Sequence, residues 1–261
     1  ESIIDFRDLA KKKRRVEVGL TSEYSVGGIF VDENMFTGVP GLYAAGEAAS
    51  GVFGANRVAD AVTEMLVQGY KAGEVAAARA SEQTRVASDD AAIERAVGVL
   101  EKLLSNQGGI AVSEAIDRLG EISDNALGMV RNETTLRAGV EAFETLGAEM
   151  DGISLRGKSL RYNRELMQAL AARNLLACSR VAAKMALERR ESRGLHLRDD
   201  YSYIDNENWQ VRQLAELVNG EDKLSKKVPV VTRIPLRKAE KIDYESFILE
   251  EDLGMKNMEE S

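Results

Sequence analysis

The densest set of chemically able residues is the run Gly41-Leu-Tyr-Ala-Ala-Gly-Glu-Ala-Ala-Ser-Gly-Val-Phe-Gly-Ala-Asn-Arg57. Leu42 to Ala45 is apolar and ends in Gly46-Glu47. That pattern predicts a buried strand whose end brings backbone close to a ligand, with a carboxylate beside it. A carboxylate there can accept hydrogen bonds from hydroxyls, as acidic residues do with ribose in dinucleotide folds. Gly51 and Gly54 allow a tight loop with exposed amides, and Asn56-Arg57 follow. The guanidinium fork of Arg57 suits a carboxylate or a phosphate. A helical pattern beginning near Ala61-Val62-Thr63 would turn its free N-terminal amides toward an electron-rich partner. Together these residues describe a site for a polar ligand. A plain glycine-rich turn, with Arg57 in a surface ion pair, accounts for the same pattern, and the residues alone leave both readings open.

The elements that would hold this run differ along the chain. Val16 to Leu20 alternates as a strand does, Gly27-Gly28 leads into a short strand at Ile29 to Asp32, and Gly38-Val-Pro-Gly41 is a turn cluster. From about Asp60 to Ala80 the pattern is helical, with Val62, Met65, Leu66 and Gly69 near one face. Ser88-Asp89-Asp90 caps a helix through Ile93, Val97 and Leu100, which Gly108-Gly109 breaks. A second helix carries Val112, Ile116, Leu119 and Ile122, and a third, after Asn132, carries Leu136, Val140, Phe143 and Leu146. The longest runs from about Asn163 to Glu191, with Leu166, Leu170, Asn174, Cys178, Val181 and Met185 as its packing stripe. Such stripes predict a helical bundle. Beyond about Leu195 the chain reads as polar and irregular, with an edge strand at Val228 to Thr232.

Composition excludes several function classes. The chain has 261 residues, 44% hydrophobic and 30% charged, as a globular protein does. A net charge of −8 opposes binding to nucleic acid or anionic lipid, and no apolar stretch approaches the roughly 20 residues of a membrane span. The basic run Lys11 to Arg15 reads as a solvated turn before a strand. The single cysteine, Cys178, sits among apolar neighbours and is expected to be a buried, inert thiol, consistent with a reducing, cytoplasmic setting. With no Cys-x-x-Cys set, no zinc or iron–sulfur site is expected on the chain itself. His196, the sole histidine, reads as structural, since no nucleophile is paired with it. Glu1 in place of Met is what a fragment or a processed product would show.

Tyr24 to Ile29, Gly38 to Glu47, Gly54 to Arg57, Arg173 to Leu176, Glu191 to Asp200 and Asp205 to Trp209 fall in order and at suitable spacing. In these blocks the chain resembles the C-terminal part of the succinate dehydrogenase/fumarate reductase flavoprotein family, L-aspartate oxidase-like members included, over about residues 16 to 210. The resemblance implies an α/β plus α fold, a partial FAD-binding domain segment followed by an α-helical bundle and a small C-terminal region. Residues 1–15 would end a capping domain, 16–82 would be the last segment of the FAD-binding domain, 83–195 the helical bundle domain, and 196–261 the C-terminal tail. The family's amino-terminal Gly-x-Gly-x-x-Gly fingerprint is absent from this stretch of sequence.

The resemblance also implies chemistry. The activity would be hydride transfer between FAD and an anionic carboxylate substrate. Glu47 would bind a ribityl hydroxyl, with Gly46, Asn56, Ala61, Val62 and Thr63 around the cofactor and the helix start facing the pyrimidine end of the ring. Arg57 would hold a substrate carboxylate. Glu23 stands where the family's dicarboxylate enzymes place a histidine, and a carboxylate repels rather than binds a substrate carboxylate. The segment after Arg57 is also one residue shorter than usual. Both departures bear on whether succinate or fumarate is the substrate. Partners would be a separate N-terminal flavoprotein half and an iron–sulfur subunit, the latter a route to the inner face of a membrane. Arg193, His196 and Arg198 would tie domains together. A helical interaction module, with the glycine loop a mere turn, is the rival from another class.

Overall fold

A computed structural model describes residues 24–49, 61–82, 88–219 and 221–227. The strands expected at Val16 to Leu20 and Val228 to Thr232, and the basic run Lys11 to Arg15, lie outside these residues.

Residues 24–49 form a folded loop held by isolated bridges, Ile29 with Ala49 and Phe36 with Tyr43, and a single 3-10 turn at Gly46–Ala48. The buried strand expected from Leu42 onward is therefore not formed: Leu42 is 49% exposed, and the chain turns as soon as Gly46 is reached. Asp32 organises the preceding turn, its Oδ1 accepting from the N–H groups of Asn34 and Phe36 at 2.8 and 3.0 Å.

Five long helices follow, α1 Ala61–Glu82, α2 Asp90–Ser105, α3 Val112–Leu127, α4 Glu133–Met150 and α5 Arg164–Glu188. Their starts are set by side-chain caps. Asp89 accepts from Ala92 N–H at 3.2 Å, Asn163 from Leu166 N–H at 3.0 Å, and Asn132 forms a reciprocal capping box with Thr135. Helices α3, α4 and α5 pack on one another around Ala115, Leu119, Phe143, Leu146, Met150 and Ala169, with Leu103 of α2 and the loop residues Ile153 and Leu155 closing the core. Each large apolar side chain buried there contributes about 1.5–3 kcal/mol.

The packing face of α5 differs from the expected stripe. Leu166, Ala169, Ala172, Ser179, Ala183 and Ala186 are buried, whereas Asn174 and Cys178 face solvent. The expected buried thiol is thus exposed. The reason is that α5 meets both α3 and α4, and alanine permits that close approach where leucine would not.

The described residues also form two small sheets. Strands β1 (Val130–Arg131) and β2 (Leu197–Arg198) pair in parallel, Val130 opposite Leu197. After the short helix α6 (Asn206–Trp209), β3 (Arg212–Val218) and β4 (Glu221–Lys227) pair as a hairpin where an irregular tail was expected. Asn219 takes φ +53°, the left-handed value that an Asn-Gly turn demands of its first central residue. The hairpin is pinned to α5 through Asp222, whose carboxylate lies 3.1 Å from both Arg180 Nε and Lys184 Nζ. Arg212 of β3 reaches the loop at the other end of the sequence, 5.9 Å from the ring centre of Phe30.

Candidate functional site

Gly46 is the pivot of the glycine segment. It is buried at φ +68°, and a Cβ there would come within 3.0 Å of Met65 Cβ, so the turn rests directly on α1. Its N–H donates to Gln68 Oε1 at 2.8 Å. The next residue, Glu47, is exposed, and its Oε1 accepts the Ser25 N–H at 2.7 Å. The second carboxylate oxygen has no partner among the described residues, so it can accept a hydroxyl. Gly28 lies against the same turn: a Cβ on it would meet the Ala48 carbonyl oxygen at 2.6 Å, where Ile29 N–H donates at 2.9 Å. No side chain fits between these two strands of backbone.

Ala61, Val62 and Thr63 open α1, and their amides have no acceptor among the described residues. One turn further, Glu64 accepts from Tyr24 Oη at 2.7 Å. The structure therefore packs the 3-10 turn of Gly46 and Glu47 on α1, with Gly46 against Met65 and Gln68. Glu23, Asn56 and Arg57 lie outside the described residues. The polar contacts of Glu64 and Gln68 were not anticipated from sequence. The signal was present: Glu64 and Gln68 interrupt an otherwise apolar stretch at a spacing of four.

Helix α1 turns its expected apolar face outward. Val62, Met65, Leu66, Val67 and Tyr70 are 51–72% exposed, while Glu64 and Gln68 are buried.

Comparison with known proteins decides what this arrangement belongs to. The family described as fumarate reductase flavoprotein C-term matches residues 116–244, and the one described as FAD binding domain matches residues 1–60. The chain belongs to the succinate dehydrogenase/fumarate reductase flavoprotein family. The fumarate reductase flavoprotein subunit of Haemophilus influenzae is 34% identical over 196 residues, which is 74% of this chain and 33% of that protein. The corresponding subunit of Helicobacter pylori is 31% identical over 218 residues, 82% of this chain and 30% of the relative. The chain thus spans about a third of the length of the curated relatives it matches. Among solved structures, Escherichia coli quinol fumarate reductase FrdA superposes with a TM-score of 0.75 at 29% identity, over 82% of this chain and 38% of that one. Adenylylsulfate reductase of Archaeoglobus fulgidus shares the fold, with a TM-score of 0.63 at 23% identity over 76% of this chain and 33% of the other. The architecture in this flavoprotein-family chain is a segment of the FAD-binding domain followed by a helical C-terminal domain.

A second polar cluster sits in the part matched by the flavoprotein C-terminal family. The carboxylate of Glu191, fully buried, accepts from Arg189 at 2.5 Å, from Arg193 at 2.7 and 2.9 Å, and from Asp205 N–H at 2.9 Å. Burial pushes its carboxyl upward, but the hydrogen bonds from Arg193, Asp205 and Arg189 outweigh this and hold it below the ordinary carboxylate range. Arg198, equally buried, grips Asp200 at 2.6 and 2.5 Å and the Ala186 carbonyl at 2.9 Å. His196 is held between Arg131, 3.2 Å from Nδ1, and the Arg189 carbonyl, 3.3 Å from Nε2. Arginine only donates, so Nδ1 must accept and the ring is neutral with its proton on Nε2. Burial, with Arg131, Arg189 and Arg198 nearby, lowers its pKa to about 4. These groups bind the end of α5 to β1, β2 and α6. Their chemistry is that of a scaffold, since the Glu191 and Asp200 carboxylates are each taken up by arginines of the cluster.

A cleft of about 750 Å³ between α4, α5 and β4 is also charged, but its lining is internally paired. Lys184 lies 3.0 Å from Glu144 as well as contacting Asp222, and Arg173 lies 3.3 Å from Asp151. Among the described residues, no helix is long and apolar enough to cross a membrane.

Proposed function

We propose that this chain is the C-terminal part of a flavin-dependent oxidoreductase that transfers hydride between FAD and an anionic carboxylate substrate. The observation that carries the reading is Glu47: an exposed carboxylate, pinned by Ser25 N–H, beside a left-handed glycine seated on α1. The residues fit a flavin nucleotide. Glu47 offers a free acceptor oxygen for a ribityl hydroxyl, Gly46 permits the left-handed turn that presents Glu47, and the first-turn amides of Ala61, Val62 and Thr63 favour an electron-rich ring edge. Asn56 would add a side-chain amide to the cofactor's polar contacts. When bound, FAD supplies the redox chemistry, accepting or giving hydride.

The chain's own groups bind and orient. Arg57 clamps the substrate carboxylate through paired N–H donors, which fixes the neighbouring carbon for hydride transfer. Glu23 precedes Tyr24 in sequence, and a negative charge at that position would select against a second carboxylate. A substrate with a single anionic group suits this pair better than a dicarboxylate.

The domain limits proposed for this function are the end of a capping domain at 1–15, FAD-binding segment at 16–82, helical bundle at 83–195 and tail at 196–261. The outward apolar face of α1 supports a partner, an N-terminal flavoprotein portion that covers it and completes the FAD site. The curated relatives are named as flavoprotein subunits, which supports an iron–sulfur subunit as a further partner and association with a membrane through it, on the cytoplasmic side. That same exposed face favours the second reading, in which this chain is a non-catalytic half until joined to the N-terminal portion.

The test is co-expression with the N-terminal portion and measurement of bound flavin by its visible absorbance. One FAD per complex is expected, with the chain alone nearly colourless. Glu47→Ala should deplete flavin, and Arg57→Ala should raise KM for an anionic substrate while leaving flavin in place. Unchanged flavin and turnover in both variants would favour a helical interaction module instead.

A further inference from the structure

We infer that Glu64 and Gln68 are positioning residues of the flavin site, locking its substrate-side and cofactor-side segments into one hydrogen-bonded circuit. This rests on the reading of Glu47 as a flavin-binding group.

The circuit closes on itself. Tyr24 Oη donates to Glu64 Oε2 at 2.7 Å, and Gln68 Nε2 donates to Glu64 Oε1 at 3.0 Å. Gly46 N–H donates to Gln68 Oε1 at 2.8 Å. Glu47, next in sequence, accepts from Ser25 N–H at 2.7 Å, and Ser25 is next to Tyr24. Glu64 and Gln68 are 4% and 6% exposed. Apolar residues are the usual occupants of such inward positions. Here two polar side chains instead hold backbone and side chain from segments 22 and 40 residues away.

The amide of Gln68 has one workable orientation. Its NH2 must face the Glu64 carboxylate and its oxygen the Gly46 N–H; reversed, both contacts become repulsive. Gly46 is thereby fixed relative to α1, and with it the direction of Glu47. Tyr24 is fixed to the same helix, and with it the Ser25 N–H that holds Glu47. The first turns of α1 and the Tyr24-Ser25 segment are carried on the same frame. A shift at Gln68 therefore displaces Glu47 relative to the α1 amides without removing either.

The experiment uses the flavin-loaded complex of the full chain with its N-terminal portion, and titrates FAD into the stripped complex for wild type, Gln68→Met, Tyr24→Phe and Glu47→Ala. Gln68→Met is expected to weaken FAD binding roughly tenfold, the scale on which outer-shell partners act. At saturating FAD it should also move the visible flavin band, a change that a purely structural role would not produce in folded, loaded protein. Tyr24→Phe is expected to act in the same direction by roughly threefold. If Gln68→Met does not fold, Tyr24→Phe decides, since it deletes one hydroxyl at the less buried end. Wild-type affinity and spectrum in both variants, with Glu47→Ala losing FAD, overturns the circuit and leaves the flavin site standing. Full FAD binding by Glu47→Ala, or none by wild type, overturns both.

Discussion

Helices α1 and α4, of 22 and 18 residues, bury opposite chemistry. In α4 the inward positions are Leu136, Gly139, Phe143, Leu146 and Met150, and the charged residues face water. In α1 the buried side chains are Glu64 and Gln68, and the large apolar ones are outside. The bundle of α3, α4 and α5 thus carries its own hydrophobic core, whereas α1 is held to the glycine turn by directed hydrogen bonds and leaves its apolar face exposed. One region is stable because of what it has buried, and the other keeps its large apolar side chains in solvent.

The largest expected effect tests the bundle side of that contrast. Phe143→Ala removes a ring with no solvent exposure and should cost about 3–5 kcal/mol in denaturant unfolding of the chain. A loss below 1 kcal/mol would mean the core is not where stability resides.

Next comes pH. His196 has its pKa lowered from 6.5 to about 4, so between these values the unfolded chain binds a proton that the folded one does not. Its contribution is complete above pH 6.5 and is lost as pH falls toward 4, by up to about 3 kcal/mol. Glu191, held low by its arginines, adds a further loss once acid enters the carboxylate range. Melting temperature measured against pH should slope downward on acidification from 6.5, and His196→Gln should flatten that slope. An unaltered slope would show that the ring is not the titrating group.

The smallest effect belongs to α1. Leu66→Ser should change the stability of the chain by itself by less than about 0.5 kcal/mol, as exposed positions do. In the complex with the N-terminal portion the same substitution should cost several times more. Equal effects in both states would remove the proposed cover from this face.

Much of the bundle was legible because capping and periodicity are local. Asp89, Asn132 and Asn163 stand where helices start, and Phe143 and Leu146 fall on one stripe. The face of α1 was not legible, because periodicity marks which residues share a side but not which side turns inward. The alanine face of α5 escaped for a related reason: larger residues at Leu170 and Met185 outweigh alanine in a pattern, while contact with two helices selects the smaller side chain. The hairpin after Trp209 had a readable sign in Asn219-Gly220 that its polar strands obscured. In the glycine segment, the break at Gly46 with an accessible carboxylate after it was legible. The attachment of Gly46 to Gln68 was not, since it joins residues 22 positions apart.

The alanine seam of α5 sets a one-way limit on how this domain can vary. Ala169 and Ala183 are completely enclosed, so each methyl group already fills the gap between neighbouring helix backbones. Trimming them to glycine leaves a small void, but any larger group must wedge the helices apart along their whole length. Variation in this protein is therefore free to accumulate on the rim of α5 and is closed to growth along its spine.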